Sequence, residues 1–135
     1  RRMLLATTGI EASEAHKVME PEQLMAAQRL VRRVPVGESV VEAILTLVRN
    51  GRPESSDLTA VRDHVAWGPG PRASQALMLA VRARALLDGR LAPSIDDVQA
   101  LAKPVLRHRM DLTFAARADG VTLDGIIDSL IGTTS

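Results

Sequence analysis

The chain has 135 residues, enough for one domain, with 46% hydrophobic and 24% charged residues, a formal net charge of +1 and no cysteine. The apolar fraction excludes a disordered chain, the near-neutral charge argues against a dedicated nucleic-acid binder, and the missing cysteines exclude disulfides and thiolate metal sites. Trp67 and Phe114 are the only aromatic residues, so the core must be aliphatic, a composition that suits close-packed helices better than a β-sandwich.

Residues 1–20 carry little periodicity and read as a linker, and the start at Arg1 rather than methionine fits a piece of a longer protein. Residues 21–135 are expected to form one helical domain. Pro21 suits a first helical position, and Leu24, Ala27, Gln28 and Val31 mark one side of a helix to about Arg33. "VPVG" breaks it. A second helix is expected from Ser39 to Arg49, with Val40, Val41, Ile44, Leu45 and Val48 at helical spacing. "NGRPESSD", Asn50 to Asp57, is a loop by composition and the segment expected to be mobile. A weak element follows around Ala60 to Ala66, then the Gly-Pro run "GPGPRA".

The strongest helix signal runs from Pro71 to Asp88. It is apolar nearly all round and rich in alanine, as in a helix surrounded by others, and Gly89 supplies its stop. This helix is expected to be the centre of the bundle, with Leu77 and Leu86 both in the core, where truncation of each to alanine costs ~2–5 kcal/mol. "PSIDDV" reopens a helix, with Ser94 as N-cap and Asp97 completing a capping box. Pro104 is expected to interrupt it near Ala102, with "PVLRHRM" starting another. A last helix from Thr122 carries Leu123, Ile126, Ile127 and Leu130. The expected architecture is all-α, a small bundle of five or six helices without a strand pair.

The chain contains no phosphate loop, no H-E-x-x-H and no serine elbow, and His16, His64 and His108 lack ligand spacing, so no catalytic or metal site is expected in it. No apolar run approaches the ~20 residues of a membrane span and no signal peptide is visible, which fits a cytoplasmic location. The local oddity is Arg72. A cation in the first turn of a helix is disfavoured by roughly 0.3–1 kcal/mol, whereas an anion is favoured there. Backbone N–H groups and the Arg72 guanidinium can converge on a phosphate; the alternative is a solvated side chain beside a simple turn. "RHR", Arg107 to Arg109, either meets an anion or is a solvated helix end. Arg82 and Arg84 are expected to pair with carboxylates or to reach the surface along their stems.

Taken in order, "RNGRPE", "GPGPRASQAL", "RARALLDGR" and "SIDDVQALAKPVLRHRM" resemble the C-terminal helical lid of MoxR-family AAA+ ATPases, from about Glu22 to Met110. That family reads as a Thr-Arg pair, then G-A-S-P-R-A, an alanine-rich helix ending in G-R, P-D-D-V and V-L-R-H-R-[LM]. The resemblance implies that Arg72 is the second-sensor arginine, reaching the γ-phosphate of ATP, with Gly70, Pro71, Ala73 and Arg52 in supporting places. It implies ATP and magnesium for the parent ATPase and none for the fragment alone. The implied partners are the ATP-binding domain of the same or a neighbouring subunit, a homo-hexameric ring and proteins with von Willebrand A domains; nucleic acid is not expected. The implied role is remodelling or maturing other complexes. The alternative is a helical DNA-binding or protein-interaction module without a nucleotide role. Two places depart from the family pattern: Gly51-Arg52 stands where Thr-Arg is usual, and Gly68-Pro69-Gly70-Pro71 replaces G-A-S-P, removing a serine N-cap.

Overall fold

The computed structural model describes residues 16–134. The linker reading of residues 1–20 therefore lies largely outside the described residues. Helix α1 spans Pro21–Val31, α2 Glu38–Asn50, α3 Thr59–His64, α4 Pro71–Leu87, α5 Ile95–Leu106, α6 Phe114–Ala118 and α7 Leu123–Ile131, with one 3₁₀ turn at Pro53–Ser55. The bundle is helical as expected. Seven α-helices appear among the described residues rather than five or six, because α3 and α6 are too short, at six and five residues, to carry a readable period. A minimal antiparallel pair also forms, β1 (Val65–Trp67) against β2 (Asp111–Leu112), with Val65 opposite Leu112, Trp67 opposite Asp111 and a bulge between.

Helix α4 is the hub. Ala73, Leu77, Val81 and Ala85, four residues apart, are fully buried and form one stripe. Against it pack α5 and α2, and α7 packs on both of these helices. Leu47, Val61, Val98, Leu106, Ile127 and Leu130 complete the aliphatic centre. The expectation that α4 is enclosed all round is corrected. Leu79 is 36% and Leu87 88% exposed, and Leu86 is only half-buried, because α4 has a solvent side covered in part by α1. None of the residues of α1 is buried.

Two left-handed glycines end helices. Gly89 (φ +73°) follows α4, with the Arg90 N–H donating to the Ala85 carbonyl at 2.7 Å and Gly89 to Leu86 at 3.0 Å; Gly120 (φ +77°) repeats the arrangement after α6. Pro104 is the second correction, since α5 runs through it to Leu106. Pro104 and Ala100, whose carbonyl loses a partner, both lie on the solvent side, while Val105 and Leu106 are buried and hold the last turn in place. The segment expected to be mobile is also anchored. Ser56 is buried and donates to the Asn50 carbonyl at 2.7 Å, its hydroxyl accepts from the Leu58 N–H at 3.1 Å, and Arg62 donates to the Ser56 carbonyl at 2.9 Å.

The start of α5 carries the capping box read from the sequence: the Ser94 N–H donates to the Asp97 carboxylate at 2.8 Å. Asp97 is buried and also accepts from Arg90 at 2.7 and 2.8 Å, with the Arg84 Nε at 3.1 Å. The Arg90 guanidinium, with help from the Ser94 N–H, lowers the Asp97 pKa from 3.8 to about 2 against the opposing cost of burial. A folded-state pKa below the unfolded one contributes stability that is complete above the unfolded value and disappears as the pH falls from 3.8 towards 2. Denaturant unfolding of the wild-type chain and of Asp97→Asn between about pH 6 and pH 2 should therefore show a gap in midpoint that closes towards the acid end. A gap independent of pH would exclude the linkage.

Candidate functional site

Strand β1 leads straight into Gly68, and β2 begins just after "RHRM". Their pairing brings the start of α4 beside the end of α5. The result is an open cleft of about 630 Å³ lined by Trp67, Gly68, Gly70, Pro71, Arg72, Ala73, His108 and Arg109. Two arginines, a histidine and a helix N-terminus face it, and no carboxylate lines it.

Pro71 occupies the first position of α4, as read from the sequence, with Gly70 as N-cap and no side chain capping the helix. The Ala73 N–H donates to the Gly70 carbonyl at 2.9 Å, and the Arg72 N–H makes no backbone bond. The Arg72 side chain is exposed, and among the described residues it has no ion pair or hydrogen bond. That excludes Arg72 as a buried partner for a carboxylate. The N-cap serine lost from the family pattern leaves an uncapped, positively poled helix end with a free guanidinium beside it, a pairing that favours an anion.

Arg52 does not reach the cleft. Its Nε donates to the Pro69 carbonyl at 2.7 Å and ties the Gly-Pro run to the end of α2. Beneath that tie, Gly51, Gly68 and Pro69 pack closely, and Pro69 is fully buried. A Cβ on Gly51 would lie 2.8 Å from both Cγ and Cδ of Pro69, and one on Gly68 would lie 2.3 Å from the Gly51 carbonyl oxygen. The two departures from the family pattern thus touch each other: glycine at 51 makes room for proline at 69. Gly51→Ala and Gly68→Ala should each cost roughly 1–3 kcal/mol by overpacking. Pro69→Ala removes the ring atoms and should recover part of the Gly51→Ala loss but none of the Gly68→Ala loss, where the clash is with backbone. Equal recovery in the two double mutants, measured by thermal unfolding, would refute this packing argument.

The "RHR" triplet divides. Arg107 turns away from the cleft and forms a two-point pair with Asp124 in the first turn of α7, at 2.7 and 2.5 Å, which lowers the Asp124 pKa. Arg109 stays at the cleft, donating to the Val105 carbonyl at 2.6 Å and resting against the His108 ring. Sequence reasoning singled out Arg72 and the triplet separately; it missed that they meet, because strands of three and two residues leave no pattern. Of the basic residues on α4, Arg84 pairs with Asp97 and Asp88 as expected, while the Arg82 Nε is buried without a partner. Among the described residues no cluster of three or more His, Cys, Asp or Glu could hold a metal ion, and no helix is long and apolar enough to cross a membrane.

Comparison with known proteins agrees with this architecture. The chain matches the AAA lid domain family over residues 57–130. It is 28% identical over 135 residues to Chaperone MoxR1 of Mycobacterium tuberculosis, covering 99% of this chain and 36% of that protein. It is 34% identical over 125 residues to the uncharacterized protein YeaC of Bacillus subtilis, covering 90% and 37%. The chain thus spans little more than a third of the length of these relatives. The crystal structure of a protein from Cytophaga hutchinsonii assigned as an ATPase shares the fold, with a TM-score of 0.86 over 96% of this chain and 40% of that one at 22% identity. With its family match and its helical fold, the chain belongs to the AAA lid domain family, and over nearly its whole length it is similar to part of a MoxR chaperone.

Proposed function

We propose that this domain senses nucleotide for a parent ATPase, with Arg72 as the second-sensor arginine. The observation that carries the reading is an exposed, unpaired arginine in the first turn of a 17-residue helix, facing a cleft without a carboxylate. Such a group binds anions without having to leave an existing partner. Its charge would stabilise the γ-phosphate as charge builds up there, and its engagement would depend on whether that phosphate is present. Gly70, Pro71 and Ala73 shape the helix end, and Arg52 braces it through Pro69.

The cleft's donor set fits phosphate. It does not fit magnesium, which prefers oxygen ligands such as carboxylates; the residues that hold magnesium would belong to the ATP-binding domain. The relatives, of which the match covers 36% and 37%, support a parent protein that carries such a domain. In that setting the lid works in a cytoplasmic ring, a homo-hexamer, that uses ATP to remodel other proteins, a role supported by the name of the chaperone relative. The test is ATP turnover by the full-length protein with Arg72→Ala, set beside the stability of the lid.

A further inference from the structure

We propose that Arg109 is a second phosphate contact, so that the cleft holds a polyphosphate anion between arginines from two helices: Arg72 at the start of α4 and Arg109 just past the end of α5. The proposal rests on the reading of Arg72 as a phosphate contact and adds to it a residue that the helix end alone would not supply. Arg109 and Arg72 line one cleft although they are far apart in sequence. The Arg109 guanidinium is oriented rather than free: one nitrogen donates to the Val105 carbonyl at 2.6 Å and contacts the His108 ring. Among the described residues it has no carboxylate partner, unlike Arg107, Arg117 and Arg90 in their ion pairs. An oriented guanidinium with spare donors suits a phosphate oxygen. Two guanidiniums lining one cleft suit a chain of phosphates better than a single one. Binding would also link the start of α4 to the end of α5, and so join the two helices that form the largest interface of the core.

Trp67, the only tryptophan, lines the same cleft and is 53% exposed, so its fluorescence reports on occupancy. The experiment titrates the 135-residue chain with sodium tripolyphosphate and with ATP, following Trp67 fluorescence and backbone amide shifts. Parallel titrations use Arg72→Ala, Arg109→Ala, Arg109→Lys and Arg107→Ala. Arg72→Ala and Arg109→Ala should each weaken tripolyphosphate binding roughly three- to tenfold, the range of an exposed charge-assisted contact. Arg109→Lys, which keeps the charge but loses the fork, should weaken it less, and it provides the reading if Arg109→Ala does not fold. Arg107→Ala, which removes the same charge from a residue paired with Asp124, should leave binding unchanged. ATP binding that follows the same order assigns the cleft to a nucleoside triphosphate.

If Arg109→Ala binds like wild type while Arg72→Ala does not, the two-arginine clamp is overturned and the Arg72 reading survives. If Arg72→Ala has no effect, the Arg72 reading falls and the clamp with it. Equal loss in Arg107→Ala, or no binding by the wild-type chain, overturns the clamp, as does a short DNA duplex binding more tightly than tripolyphosphate with the same arginine dependence.

Discussion

Leu77→Ala is expected to destabilise the domain by ~2–5 kcal/mol, the range for emptying a fully buried leucine site. Leu77 is 0% exposed and lies at the middle of the α4 stripe, between Ala73 and Val81. Small neighbours above and below cannot expand into the space, and the facing residues come from α2 and α5, two helices held by their own packing. The cavity should therefore persist rather than collapse, which places the loss in the upper half of the range. Leu86→Ala, at a half-buried position on the same helix, should cost clearly less, and Leu87→Ala, at 88% exposure, should fall within about half a kilocalorie of wild type. Denaturant unfolding of the three variants gives the order directly. If Leu77→Ala and Leu87→Ala cost the same, the core has been placed wrongly.

That gradient along one helix shows what the sequence could and could not convey. The repeat of Ala73, Leu77, Val81 and Ala85 is a local period, so the buried face of α4 is readable from the chain alone. How far burial extends round the helix depends on how many neighbours dock, and no local pattern records that; Leu79 and Leu87 look like core residues and are not. The same holds for Pro104. A proline reads as a break, yet a turn whose inner residues Val105 and Leu106 are buried tolerates the lost hydrogen bond when the freed carbonyl meets water. Caps, by contrast, are local chemistry, and Ser94 with Asp97 and Gly89 act where the sequence placed them.

The site divides along the same line. Arg72 could be singled out because its oddity, a cation in a first helical turn after Gly and Pro, is contained in six residues. Arg52 was also visible as a candidate, but its part, bracing Pro69 from across the loop, depends on contact between Gly51 and Pro69 that only the fold supplies. The meeting of Arg72 with His108 and Arg109 depends on a strand pair of a few residues closing between distant segments. Ion pairing then decides the function open to each arginine: Arg107 is committed to Asp124, whereas Arg72 is not committed to anything.

Arg72→Ala should give a split result: a stable lid and a crippled ATPase. In the isolated domain the side chain is exposed and unpaired, and it sits at the helix pole that disfavours a cation. Its removal should leave stability unchanged or raise it by a few tenths of a kcal/mol. In the full-length protein the same change would remove a preorganised donor from the γ-phosphate, and loss of one such donor costs on the order of 2–4 kcal/mol of transition-state stabilisation, a fall in turnover of about 30- to 900-fold. Nucleotide affinity should fall less than turnover, because the ATP-binding domain would still hold the rest of the nucleotide. Lys at this position should restore only part of the rate, since a point charge replaces a fork that can meet two oxygens. Two measurements therefore suffice, thermal unfolding of the lid and steady-state turnover of the full-length protein. Unfolding of the isolated domain by Arg72→Ala would make the residue structural, against its exposed and unpaired position. Unchanged turnover would leave "GPGPRA" as a turn that starts a helix, and the anion affinity of that helix end would then have no part in the ATPase cycle.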